Sequence, residues 1–394
     1  MRLLILYETV YPDSIGGVES RNYELAAALV RRGHEVTLGG FCTGLAGEPP
    51  GLRIHSLGDL ARLYNAAGKR STRHALRFAA AAARLDLGRY DLVETANMPY
   101  VHLLPLAWKC ARAGKPLLVT WYEYWAGYWR GYVGRWRAPA YRAVEWLTAQ
   151  VGSEVTATSD LTRRRLAAAR LRRGHVEMVP CGIDVARVRA AAGAPGEGPP
   201  LIYLGRILEH KRLDLLLEAV RLLVNGSGGA GSGPGGTGDH QPLLTVFGEG
   251  PERGRLERLA GELGIAERVV FRGHVESNDE VWRELGRARL AVQPSLREGF
   301  GLFPLEAMAA GLPVVYCASP ESAVGELVRD GIEGVSVPPE PAALAATLAA
   351  LLGAPDERQR LGRNALARAD QFDWAEIAQR IEEICAALSA RSRR

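Results

Sequence analysis

Short, mainly apolar runs without strict alternation recur along the chain, and each ends at a turn that leads into a helical pattern. In the first half they occupy residues 3–7, 35–38, 91–93, 116–120 and 155–158. In the second they occupy residues 201–204, 243–247, 269–271, 290–293 and 314–316. A strand buried on both faces reads this way, and a parallel sheet covered by helices on both sides buries its strands like that. The repetition predicts an α/β protein of two doubly wound, Rossmann-like domains. Ligands of open parallel sheets sit at the carboxyl ends of the strands, so the two sheets are expected to face across a cleft where two substrates meet.

The expected division is residues 1–186, residues 187–373, and a last helix, 374–394, crossing back onto the first domain. Residues 186–200, ending APGEGPP, have the composition of a linker. Residues 225–241 are a glycine- and serine-rich run expected to form a flexible surface loop. Residues 59–87 are alanine- and arginine-rich and predict a helix, as do 103–112, 161–171 behind a Ser159-Asp160 cap, and 213–224.

Composition excludes several classes. The net charge of +5 comes from arginines scattered over both halves, a pattern of solubility that calls for no nucleic-acid partner. Five cysteines, odd in number and far apart, read as buried reduced thiols of a cytoplasmic chain. No apolar stretch approaches 18 residues, and residues 1–7 are too short for a signal peptide. The expected location is cytoplasmic, with peripheral attachment to the inner membrane face left open.

The chemistry concentrates in QPSLREGFGLFPLEAMAAGLP, residues 293–313. A strand leads through a turn to Glu298, then Gly299, Phe300, Gly301 and Leu302. Pro304 marks the expected helix start, which puts Glu306 in its first turn. Glycines let a backbone approach a ligand, and a helix N-terminus offers free N–H groups to an anion. Gly205-Arg206, Lys211, Gly248–Gly250 and Gly273-His274-Val275 also follow predicted strands, so these segments should converge on one sheet edge. Arg206 offers a bidentate fork and Lys211 a point charge for a diphosphate. Gly16 and Gly17 open the first helix and are a weaker signal, since the turn lacks the dinucleotide fingerprint GxGxxG. A glycosidase-like carboxylate pair is a rival that leaves Arg206 and Lys211 unexplained. With no DxD, CxxC or HExxH pattern, neither a metal nor another cofactor is expected.

The run WYEYWAGYWRGYVGRW, residues 121–136, places aromatics at helical spacing beside arginines, broken by three glycines. Three readings stand: rings packed on the domain, an acceptor pocket at the sheet edge, or a loop dipping into a membrane interface. The acceptor reading selects Asn97, Trp121, Tyr122, Glu123 and Trp125.

Together these residues resemble the retaining glycosyltransferases of family four, which have the GT-B fold. The strongest match is Glu298-x7-Glu306 inside EGFGLFPLEAMAAGLPVV. GGVE from Gly16, GR…K at Gly205, Arg206 and Lys211, the GEGP turn from Gly248, and PCGID from Pro180 support it; the family more usually has PNGID there. The resemblance implies a nucleotide-diphosphate sugar donor, UDP- or GDP-linked, in the C-terminal domain. The acceptor hydroxyl, on a glycan, a lipid-linked sugar or a natural product, would belong to the N-terminal domain. It assigns Arg206 and Lys211 to the diphosphate, Glu306 to the ribose, Glu298 to the transferred sugar, the region of His274 and Val275 to the base, and Gly16 and Gly17 to the phosphates. Transfer would keep anomeric configuration without a metal. Many members carry a histidine in the loop after residue 120, where this chain has Trp121-Tyr122-Glu123. A GT-B sugar-nucleotide epimerase and a non-catalytic sugar-nucleotide scaffold are the alternatives.

Overall fold

The carbon skeleton of each half is a single parallel sheet. The computed structural model describes residues 1–14, 16–43, 51–60, 71–171, 175–193, 198–226, 242–275 and 277–392. The chain divides into two units, Met1–Gly182 with Trp374–Arg394, and Ile183–Asp373.

Unit 1 runs β1 (Arg2–Thr9), α1 (Gly17–Arg31), β2 (Glu35–Phe41), β3 (Leu52–Ser56), α2 (Thr72–Arg84), β4 (Leu92–Ala96) and α3 (Leu103–Arg112). It continues through β5 (Leu117–Trp121), α4 (Trp129–Val133), α5 (Ala138–Ala149), β6 (Glu154–Ala157), α6 (Asp160–Ala168) and β7 (Glu177–Met178). Its strands lie in the order β3-β2-β1-β4-β5-β6-β7, all parallel. Alternate residues of β1 enter opposite cores. Leu4 and Leu6 pack with Phe41, Phe78 and Leu103, whereas Leu3 and Ile5 pack with Leu25, Leu29 and Leu118. Both faces of the strand are therefore buried, which is why its sequence shows no alternation.

Unit 2 begins with α7 (Val185–Ala192), then β8 (Leu201–Leu204), α8 (Leu213–Gly226), β9 (Leu244–Phe247), α9 (Arg253–Glu262), β10 (Val269–Gly273) and α10 (Asn278–Arg287). It ends with β11 (Leu290–Gln293), α11 (Leu302–Ala309), β12 (Val314–Cys317), α12 (Val324–Leu327), β13 (Gly334–Val337), α13 (Pro341–Leu352) and α14 (Pro355–Ala369). The strand order is β10-β9-β8-β11-β12-β13, again all parallel. Both orders reverse once, between β1 and β4 and between β8 and β11. A ligand crevice opens at such a reversal, because the loops on its two sides diverge.

The last helix, α15 (Trp374–Ser392), belongs to unit 1. Trp374, Ile377, Ile381 and Leu388 enter the core that holds Leu3 and Ile5. Glu382 adds contacts to Arg32 at 2.5 Å and His34 at 3.1 Å. A Cβ on Gly182 would lie 2.6 Å from the Trp374 indole, so the chain leaves the unit directly beneath the residue on which it returns.

Several expectations from sequence need correction. Residues 186–192 of the expected linker belong to a helix, Val185–Ala192, capped by Asp184, whose carboxylate accepts from Arg187 N at 2.9 Å. It packs on α10 at Gly286, where a Cβ would meet the Ala192 carbonyl at 2.1 Å. The helix expected over 59–87 is observed from Thr72, with Ser71 as its cap, and residues 61–70 lie outside the described residues. So does 227–241 of the glycine- and serine-rich run; residues 225–226 close α8. β3, β7 and β13 were not foreseen, being short or carrying polar residues. α11 starts at Leu302, which makes Glu306 its fifth residue rather than part of the first turn. Pro304 is tolerated at the third position because the first four N–H groups of a helix have no intrahelical partner.

Candidate active site

At the reversal in unit 2, the turn after β8 meets the turn after β11. Leu296 N donates to the His210 carbonyl at 3.2 Å, which ties the two turns together. Across that junction Lys211 Nζ lies 2.5 Å from Glu298 Oε1. The Gln293 side-chain amide, at the end of β11, donates to the same oxygen. The Glu298 backbone is held as well, since its carbonyl accepts from Ala323 N at 2.9 Å. Both charged groups keep some access to solvent, with side-chain exposures of 17% for Lys211 and 12% for Glu298.

The surroundings are electropositive. Burial pushes the His210 imidazole down to about 4, and Lys211, Arg297 and Arg206 add to that shift by repelling its proton; Glu298 opposes it. His210 is therefore a neutral ring among three cations at neutral pH. Arg206 is exposed at the rim, while Arg297 is buried. Gln293 Oε1 and Ser295 Oγ are enclosed with no hydrogen-bond partner among the described residues.

Glu306 stands apart from this pair. Its Oε1 accepts from Trp282 Nε1, on α10, at 3.2 Å. Burial raises its carboxyl to about 7, against the pull of the Trp282 bond. The two glutamates thus have different neighbours, Lys211 and Gln293 for Glu298 and Trp282 for Glu306.

Two glycines have causes inside the protein. Gly248 has φ +121°, and a Cβ there would lie 2.1 Å from the Gly205 carbonyl, so the turns after β8 and β9 touch only if it is glycine. Gly301 caps α11 with φ +107°. Gly299 and Leu302 are half-buried beside it. Phe300 packs its ring on Phe372, 6.1 Å between centroids, which leaves its backbone as the part able to face a ligand. Beyond β10, His274 is exposed and Val275 half-buried.

In unit 1, the reversal carries a buried ion pair. Arg21 Nη1 of α1 lies 2.6 Å from Glu94 Oε1 of β4, with side-chain exposures of 3% and 4%. Thr120 Oγ1 donates to Glu94 at 3.0 Å, and Thr156 Oγ1 donates to Thr120 at 3.1 Å. Burial opposes the Arg21 charge, yet Glu94 keeps its pKa above the ordinary value. Beside it, Tyr122 has an enclosed hydroxyl with no hydrogen-bond partner among the described residues; burial raises its pKa, and Arg21 opposes that rise. Cys181 of PCGID is buried and pushed up to about 12 by that burial, again against Arg21. The five cysteines are free and buried.

Gly16 and Gly17 form the turn into α1. A Cβ on Gly16 would lie 2.5 Å from Glu19 Oε2, and Glu19 Oε1 in turn accepts from Thr9 Oγ1 at 2.9 Å and Ser14 Oγ at 3.3 Å. Glycine at 16 therefore makes room for that carboxylate.

The residues of the acceptor set differ in exposure. Trp121 is fully buried in the core with Tyr100 and Tyr124. Asn97 is also fully buried, and its side chain latches the next loop: Nδ2 donates to the Glu123 carbonyl at 3.3 Å, and Oδ1 accepts from Tyr122 N at 3.2 Å. Neither side chain is exposed to solvent. Tyr122, Glu123 and Trp125 stay partly accessible.

The organiser of this loop is Glu145, on α5. Its carboxylate accepts from Trp125 N at 2.6 Å, Ala126 N at 2.9 Å, Trp129 Nε1 at 3.0 Å and Tyr100 OH at 3.2 Å. Burial raises its pKa while these bonds oppose the rise. Rings 125, 128, 129 and 132 then cluster on one another. Packing thus accounts for most of the aromatic run, and Trp136 is the exception at 83% exposed.

Comparison with known families places this geometry. The family model described as "Glycosyl transferases group 1" matches residues 184–368, and "Glycosyltransferase Family 4" matches residues 15–187. The chain belongs to the family-four glycosyltransferases. Among curated relatives, a D-inositol 3-phosphate glycosyltransferase of Nocardia farcinica is 33% identical over 253 residues, 60% of this chain and 53% of that protein. The chain thus spans about half the length of that relative. A glycogen synthase of Mycobacterium tuberculosis is 29% identical over 403 residues, 96% of this chain and 92% of that one. Among solved structures, sucrose-phosphate synthase from Thermosynechococcus elongatus matches with a TM-score of 0.77 and 23% identity, covering 99% of each chain.

In this family-four glycosyltransferase the structure brings Lys211 and Glu298 into contact, with Arg206 at the rim. Sequence reasoning passed over Gln293, Trp282, His210 and Glu145. Gln293 was visible as a polar residue ending an apolar strand, and Glu145 as a lone acid among apolar and aromatic neighbours. Trp282 and His210 carried no such signal, because their role depends on which helix and turn lie beside them.

Proposed function

We propose that this family-four glycosyltransferase moves a sugar from a nucleotide-diphosphate donor to a hydroxyl acceptor with retention of anomeric configuration. The observation that carries the reading is the Lys211–Glu298 contact at the sheet reversal of unit 2, with Gln293 on the same carboxylate oxygen. A diphosphate entering beside Arg206 and Lys211 draws Lys211 away from Glu298. The freed carboxylate then accepts from hydroxyls of the transferred sugar, held in place by Gln293. Arg206 and Lys211 neutralise the charge that grows on the leaving diphosphate, so the reading needs no resident metal. Glu306, half-buried beside Trp282, accepts from the ribose hydroxyls in its ionised form.

Retention follows from attack on the face that the leaving group departs, with the leaving phosphate oxygen taking the acceptor proton. The bond from the anomeric carbon to phosphate breaks, and the bond to the acceptor oxygen forms on the same side. The names of the relatives span inositol phosphate, glycogen and sucrose phosphate, so they support sugar transfer as a class and no particular acceptor.

The test incubates the protein with UDP-, GDP- and dTDP-sugars and a panel of sugar, inositol and lipid acceptors, with and without EDTA, and reads products by NMR. The reading expects a new glycosidic linkage with the donor's anomeric configuration, unchanged by EDTA. An inverted product, free nucleotide with an isomerised sugar and no linkage, or a strict metal requirement would each overturn it.

A further inference from the structure

The face of unit 1 formed by α4, α5 and the turn between them presents aromatics and arginines that the fold leaves uncovered. Trp136 is 83% exposed, Trp146 47% and Leu147 45%. Arg130, Arg135, Arg137 and Arg142 are all exposed on the same segment. Along α5 the exposed positions Pro139, Arg142, Ala143, Trp146 and Leu147 recur at spacings of three and four, which is one side of a helix. Trp136 precedes that row by one turn, with the Arg135 guanidinium 4.7 Å from its ring centroid.

The same segment is one-sided in charge. Between residues 124 and 153 the sole acid is Glu145. It faces inward, 1% exposed, with its carboxylate occupied by four donors. Beside α5 runs a groove of about 620 Å³, lined by Tyr124, Pro139, Arg142 and Trp146 and closed by Arg165 of α6. Asp160, the acid nearest on α6, is paired with Arg163 and Arg164. The Trp146 indole N–H is satisfied by the Ala169 carbonyl at 3.1 Å, so the exposed part of that ring is its apolar edge.

We propose that this surface, from Arg130 to Leu147, docks on a bilayer of anionic phospholipid. Charge complementarity selects the occupant: an arginine-only rim around exposed tryptophans matches an anionic, partly apolar interface. Trp136, Trp146 and Leu147 enter the headgroup region, where indoles sit well. The arginines meet lipid phosphates, and the groove between Arg142 and Arg165 takes a headgroup. Of the aromatic run only Trp136 anchors, since Trp121 and Trp129 are buried and Trp125 packs on Tyr128, Trp129 and Tyr132. The docking reading rests on exposed side chains of unit 1 and does not depend on the donor site.

The test sediments the full chain with vesicles of phosphatidylcholine alone, or with one third phosphatidylglycerol, at low and high salt. Binding to the anionic vesicles alone, weakening with salt, is expected. Each arginine near an anionic surface contributes about fivefold, so Arg135→Gln with Arg137→Gln is expected to weaken binding roughly 25-fold. Trp136→Ser is expected to weaken it several-fold and to remove part of the fluorescence blue shift. Arg258→Gln with Arg363→Gln changes net charge equally on exposed positions of unit 2 and is expected to leave binding within about twofold. Circular dichroism and melting are compared for all variants. Equal binding to neutral vesicles, no binding to anionic vesicles at low salt, or an equal loss in the unit 2 pair would overturn the proposal. So would a dimer in the absence of lipid that Trp136→Ser dissolves while vesicle binding stays absent.

Discussion

Lys211 and Glu298 meet through a 2.5 Å contact between Nζ and Oε1, although 87 residues separate them in sequence. The contact exists because β8 and β11 are neighbours at the reversal of strand order, so the turns that follow them share one crevice. An ion pair with 17% and 12% exposed partners is poised for exchange, since a more highly charged anion can take the lysine from the carboxylate.

Lys211→Gln removes the cation and leaves Glu298 with Gln293 alone. Turnover is expected to fall on the order of 10²- to 10³-fold, the usual effect of losing one group that stabilises developing charge. Arg206→Gln acts in the same direction. Steady-state kinetics at saturating donor would separate this loss from weaker donor binding. Unchanged kcat in both variants would remove these residues from the reaction.

If Glu306 holds the donor as proposed, donor affinity is expected to depend on pH. Its carboxyl sits at about 7, raised by burial, so it is largely protonated at pH 6 and largely ionised at pH 8. Under the proposed donor reading the ionised form accepts from two ribose hydroxyls, so donor binding is expected to strengthen as pH rises through about 7. Folding stability moves the other way. The folded group holds a proton that the unfolded one releases near 4.5, so stability falls between about 4.5 and 7 and levels above that. Calorimetric titration of donor at several pH values checks the first statement. Glu306→Gln should flatten both profiles, and a variant that keeps the wild-type pH dependence would exclude Glu306 as its source.

Glu145→Ala leaves two backbone N–H groups, an indole N–H and a tyrosine hydroxyl without their acceptor. A destabilisation of roughly 3 kcal/mol or more is expected in urea unfolding. Glu145→Gln keeps one oxygen acceptor and should lose less. A Glu145→Ala protein as stable as wild type would contradict its role in holding the aromatic segment.

The buried Arg21–Glu94 pair is expected to cost about 3–5 kcal/mol when either partner is removed alone, because the other charge is left buried and uncompensated. Replacing both, Arg21→Met with Glu94→Gln, should cost clearly less than the sum of the two single changes. A double-mutant cycle in denaturant measures this, and additive effects would show that the two side chains do not act as a pair.

Much of the fold was legible because a parallel sheet writes itself plainly. The runs at 290–293 and 201–204 coincide with β11 and β8, since both faces of each strand are buried and only Gln293, at the end of β11, breaks their apolar character. β3 carries Arg53 and His55, and β7 is two residues long, so neither yields an apolar run. Residues 186–200 misled through composition: Ala and Arg read as linker before Gly193, yet they form α7 because Gly286 lets it seat on α10.

The donor-side residues were legible for a similar reason, lying one turn beyond recognisable strands. The aromatic run was harder. Spacing alone made Trp121 and Trp125 equivalent, but Trp121 ends β5 inside the core, whereas Trp125 lies on a loop that Glu145 anchors from a helix 20 residues later. Only the packing partner separates a core tryptophan from an exposed one such as Trp136.

The most direct measurement is calorimetric titration of UDP-, GDP- and dTDP-sugars into the full chain, repeated with Lys211→Gln and Glu306→Gln. The account predicts saturable one-to-one binding of at least one nucleotide sugar, weakened at least tenfold in each variant, roughly 1.4 kcal/mol. Absence of binding across the donor panel, or affinities identical in wild type and both variants, would contradict it.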